Sequence, residues 1–73
     1  MEPGEAAKRV LDESGEALHW TTVWDKALRA GYINPLTQPN ARDELVRWLA
    51  DAARSGQIVK TSTGTYRAAG EEA

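Results

Sequence analysis

The chain has 73 residues, no cysteine, 41% hydrophobic residues and a formal net charge of −2. That is the make-up of a globular protein with room for one domain, expected over residues 1–73 with an ordered core from about 4 to 69. Without cysteine there is no disulfide, thiolate metal site or cysteine nucleophile, and the longest apolar run, Trp48-Leu49-Ala50, is too short for a membrane span or a signal-peptide core.

Charge is unevenly spread. Glu2, Glu5, Asp12, Glu13 and Glu16 make the first sixteen residues acidic, and Glu71 and Glu72 lie near the end. Between Ala17 and Gly70, seven bases outnumber four acids, and from Ala52 to Gly70 there is no acid. The absence of cysteine fits an intracellular protein, in the cytoplasm or on the nucleoid of a bacterium.

Pro3 and Glu5 suit a helix start, because proline lacks an amide that would be unpaired there and an acid favours the positive end of the dipole. Ala7, Val10, Leu11 and Ser14 then recur at the spacing of a one-sided helix that Gly15 can close. Leu18-His19-Trp20 is a short extended segment, able to pair with the edge of a later hairpin. Thr21 or Thr22 can cap a second helix, with Val23, Ala27 and Leu28 as its buried stripe, Trp24 at the border and Gly31 as its stop. Tyr32 and Ile33 turn back toward the core. Asn34 to Pro39 carries two prolines, each of which pushes the preceding residue out of helical torsions, so this run is a connection, with Leu36 expected to anchor it.

A third helix starts between Thr37 and Asn40 and runs to about Ser55. At 100° per residue, Ala41, Leu45, Trp48, Leu49 and Ala52 share one face, and Asn40, Asp43, Arg47, Ala50 and Arg54 the other. Gly56 stops it. Strands 57–61 and 65–69 flank Ser62-Thr63-Gly64, a three-residue loop with glycine at its left-handed position. That register groups Ile58, Tyr66 and Ala68 on one face and Val59 with Arg67 on the other, whereas a two-residue Thr63-Gly64 turn would regroup them. Residues 1–3 and 70–73 are expected to fray.

Helix, strand, helix, helix and hairpin in so short a chain make a small α+β winged helix-turn-helix domain. The expected core is Val10, Leu11, Leu18, Val23, Ala27, Leu28, Ile33, Leu45, Trp48, Leu49, Ile58 and Tyr66. In VLDESGEALHW, TTVWDKALRAGYI and GQIVKTSTGTYRA, from about Ala6 to Ala69, the chain resembles the HARE-HTH family of winged-helix domains. Those domains occur in chromatin regulators, restriction endonucleases and the delta subunit of bacterial RNA polymerase. The NPLTQPN run differs from that pattern, in which a shorter, more basic connection stands. The resemblance implies a DNA-contacting role.

Two functions follow as expectations. The first is a DNA-binding module, associated with transcription or chromatin, whose partner is double-stranded DNA. Asn40, Asp43 and Arg47 on the third helix would approach base edges, Arg54 lies on the same face, and Lys60, Thr63 and Arg67 on the wing would meet phosphate. Against it, Arg47 is spaced to form surface ion pairs with Asp43 and Asp51. The alternative is a protein-docking or homodimerisation module using Trp24, Leu28 and Tyr32. His19, the only histidine, lacks partners for a metal site or a triad, and is expected to make a local hydrogen bond. No enzyme activity, cofactor, metal, membrane or small-molecule substrate is expected.

Overall fold

A computed structural model of the chain describes residues 1–69. Pro3 opens α1 (Pro3–Ser14), with Glu5 in its first turn and Gly15 closing it through an amide bond to the Leu11 carbonyl. Pro3 is itself buried, and Gln38 Nε2 donates to the Met1 carbonyl at 3.0 Å. Residues 70–73 lie outside the described residues. Ala6, Ala7, Val10 and Leu11 form the buried stripe of α1. The small side chains at Ala6 and Ala7 let its neighbours come close.

Leu18–His19 forms β1, and α2 (Trp20–Arg29) follows it directly. The expected threonine cap is corrected: the helix starts at Trp20, and His19 caps it, Nδ1 accepting from the Thr21 amide at 3.3 Å and lying 2.9 Å from Thr21 Oγ1. The reason is long-range, for the Trp20 amide donates to the Gly64 carbonyl at 2.8 Å, which fixes the chain direction before either threonine. Val23 and Ala27 are buried, and Trp24 and Leu28 pack half-buried beside them.

The connection from Gly31 to Asn40 closes on itself through polar groups. The Asn34 carbonyl accepts from the Thr37 and Gln38 amides, Asn34 Oδ1 accepts from the Leu36 amide, and Gln38 Oε1 accepts from the Asn34 amide. With the loop held this way, Leu36 is 91% exposed, and Ile33, at 3%, supplies the anchor that Leu36 was expected to be.

The third helix, α3 (Ala41–Ser55), buries Ala41, Leu45, Leu49 and Ala52 and ends at Gly56. Trp48, expected inside, is half-buried and packs over the core from its edge. Leu18 and Leu28, also expected inside, take the same half-buried position. The hairpin then comprises β2 (Ile58–Ser62) and β3 (Thr65–Ala68) around a two-residue Thr63-Gly64 turn, rather than the expected three-residue loop. Lys60 pairs with Tyr66 while Ser62 pairs with Thr65, so Thr61 is an extra residue in the ladder. That bulge preserves the face grouping despite the shorter turn: Ile58, Tyr66 and Ala68 stay on the core side. β1 adds to the other edge of β3, giving an antiparallel three-stranded sheet in the order β1-β3-β2. The architecture is a small α+β domain of three helices and one sheet.

Candidate nucleic-acid interface

The outward side of α3 is not a free ridge. The start of α2 borders one end of it and the hairpin borders the other, leaving two concavities along the helix. The larger, about 480 Å³, is lined by Trp20, Arg42, Asp43, Val46 and Arg47. The smaller, about 300 Å³, is lined by Ala50, Ala53, Arg54, Lys60 and Tyr66. Arg47 and Arg54 are two helical turns apart, about 10 Å along the axis, so each concavity receives one of them.

Its cations are unevenly committed. Arg54 Nη1 pairs with Asp51 Oδ1 at 3.1 Å. That contact takes up the carboxylate expected to hold Arg47, and the Asp43–Arg47 pair does not form either. Among the described residues Arg42, Arg47 and Lys60 enter no ion pair, nor do Arg9 and Lys26 away from this surface, whereas Lys8 and Arg29 are held by Asp12 and Asp25. Exposed pairs of this kind contribute little to stability, but an unpaired cation is available to a ligand without first breaking a bond.

The remaining residues singled out from sequence divide. Asn40 is exposed before the first turn of α3 and makes no capping bond with its side chain. Thr63 is exposed at the hairpin tip. Lys60 shares the sheet face of Tyr66, whereas Arg67 lies on the opposite face with Val59. There Arg67 is half-buried and donates to the Ala68 carbonyl at 3.3 Å. The structure thus brings Asp43, Arg47, Arg54 and Lys60 to one side of α3 and separates Arg67 from them.

Trp24, Leu28 and Tyr32 all lie half-buried against the core. Tyr32 is engaged: its hydroxyl is 2.7 and 2.9 Å from the two Glu13 carboxylate oxygens, and the Arg9 guanidinium lies 5.7 Å from its ring centroid. The hydrogen bond to Glu13 pushes the phenol above its ordinary pKa of 10.0, desolvation and the Glu13 charge act in the same direction, and Arg9 opposes them.

Sequence reasoning missed Trp20, Arg42 and Val46 as members of this surface. By its sequence Trp20 is the end of an extended segment. Its amide bond to Gly64 and its position at the first residue of α2 turn the indole toward α3. The available signal was the Leu-His-Trp run itself, placed directly before a helix.

No family model, curated protein or solved structure matches the chain. Among the described residues, no three His, Asp or Glu side chains gather in a way that could hold a metal ion, and no helix is long and apolar enough to cross a membrane.

Proposed function

We propose that the chain is a winged helix-turn-helix domain of HARE-HTH type that binds DNA along the trough between α3 and the hairpin. The observation that carries this reading is the company kept by Arg42, Arg47 and Lys60. Three cations without ion pairs line the two concavities along α3, and two aromatic residues, Trp20 and Tyr66, lie among them. Cations there attract the phosphate backbone, and the N-terminal half of α3 offers Asp43 to the bases. A module of this kind serves transcription or chromatin by positioning a larger assembly on DNA.

Protein docking through Trp24, Leu28 and Tyr32 draws less support, because the first two give much of their surface to the core and the third is held by Glu13. Amide chemical-shift mapping with a short duplex separates the readings. Shifts concentrated at residues 40–54 and 58–66 are expected. Shifts confined to residues 24–32, or none at low salt, contradict the proposal.

A further inference from the structure

Trp20 has a fixed orientation and an uncovered part. Its amide is tied to the Gly64 carbonyl at 2.8 Å, and a side chain added at Gly64 would come within 3.4 Å of its Cδ1. The His19 ring stands 5.9 Å away at a tilt of 34°. Held by the hairpin turn on one side, the half-buried indole forms a wall of the 480 Å³ concavity on another. Val46 adds a second apolar surface. Two guanidiniums, Arg42 and Arg47, stand in the same lining.

Asp43 is the odd member. A carboxylate among phosphate-binding cations repels phosphate, and Asp43 does not compensate by pairing with Arg47 four residues on. An ionised carboxylate only accepts hydrogen bonds. The ligand group that suits it is therefore an N–H donor close to an anion and to a flat apolar ring. A nucleotide whose base carries an exocyclic amino group has all three features.

We infer that this concavity takes one unpaired, amino-bearing base of the bound DNA. The base stacks on Trp20, its amino group donates to Asp43, and its flanking phosphate meets Arg42 and Arg47. The volume is within the range of about 300–1,000 Å³ usual for small-ligand pockets. In an intact duplex the faces of the bases are covered by their neighbours, so the indole has nothing to stack on. An extrahelical base exposes its face. Adenine, cytosine and guanine present an amino group, whereas thymine presents two carbonyls flanking one N–H and meets Asp43 with like polarity. This inference rests on the DNA-binding reading above.

The test compares fluorescently labelled duplexes that are identical except for one bulged adenine, cytosine or thymine, with the fully paired duplex as reference. The bulged adenine and cytosine duplexes should bind about tenfold more tightly than the paired duplex, the bulged thymine should gain much less, and Trp20 emission should be quenched on binding. Trp20→Leu should erase the gain and Trp20→Phe should retain most of it. Asp43→Ala, an exposed change that does not depend on the packing of Trp20, should make adenine, cytosine and thymine bulges equivalent. If paired and bulged duplexes bind equally, or if thymine matches adenine and cytosine in the parent chain, the inference is wrong while the DNA-binding reading stands. If no duplex binds at all, both are wrong.

Discussion

Trp48 of α3 lies directly over Gly4 of α1: a β-carbon added at Gly4 would sit 2.5 Å from Trp48 Cδ1 and 2.8 Å from its Cγ and Nε1. The glycine therefore opens the slot in which the indole rests, in the first turn of a helix. Gly4→Ala gains helix propensity of up to about 1 kcal/mol, but forces the ring aside at a typical overpacking cost of about 1–3 kcal/mol. The net expectation is destabilisation by about 1 kcal/mol in chemical denaturation. In a Trp48→Leu background the same change should be neutral or stabilising, because the clash is gone. Trp48→Ala by itself should cost about 2–3 kcal/mol, below the 3–5 kcal/mol of a fully enclosed aromatic, since the ring is only half-buried.

Gly64 combines a φ of +73° with close contact to α2. A β-carbon there would approach His19 Nε2 to 2.9 Å, on top of the strain of a left-handed torsion. Gly64→Ala should destabilise by about 1–3 kcal/mol. It should also disturb the His19 cap, seen as larger shifts in the amides of residues 20–22 than in those of α3.

Charge reversals on the hairpin should differ by face. Lys60→Glu places an acid beside Arg54 in the smaller concavity and should weaken DNA binding at least tenfold. Arg67→Glu, on the opposite face with Val59, should weaken it by much less. Binding isotherms of the two variants at one salt concentration make the comparison. Equal losses would place the contact on both faces of the sheet.

The Tyr32–Glu13 bond gives a pH signature. The folded chain retains the phenolic proton at pH values where the unfolded chain, with a pKa near 10.0, releases it. The stabilisation is therefore fully present below pH 10 and is lost as pH rises through the folded value. Thermal melts of the parent and Tyr32→Phe, run from neutral to alkaline pH, should show the parent losing stability more steeply above pH 10. The phenolate absorbance lost in Tyr32→Phe should belong to a tyrosine that titrates above 10.0.

The local signals in the chain were readable. The turn glycines, the one-sided stripes of α1 and α3 and the alternation along the hairpin place the elements to within a few residues. What failed depended on hydrogen bonds and ion pairs that hydropathy and helical spacing do not encode. The threonines after Trp20 look like the better cap, but the Gly64 carbonyl decides where α2 begins. Leu36 reads as an anchor by hydrophobicity, yet the hydrogen bonds of Asn34 and Gln38 close the loop with its side chain outside. Helical spacing allows Arg47 two acidic partners, and it takes neither. The concavity joining Trp20 to Arg42 and Arg47 exists only where α2 and α3 meet, so no local spacing encodes it.

Salt dependence of DNA binding tests the central proposal most directly. On that proposal, Arg42, Arg47 and Lys60, with Arg54 released from Asp51 on contact, would neutralise three to four phosphates. The logarithm of affinity for a labelled duplex should then fall with the logarithm of salt concentration at a slope of about −3, near 0.9 per phosphate. Arg47→Ala with Lys60→Ala should bring the slope to about −1 while leaving the melting transition close to that of the parent. Absence of binding at low salt, or a slope that the double substitution leaves unchanged, would contradict DNA binding along the α3–hairpin trough.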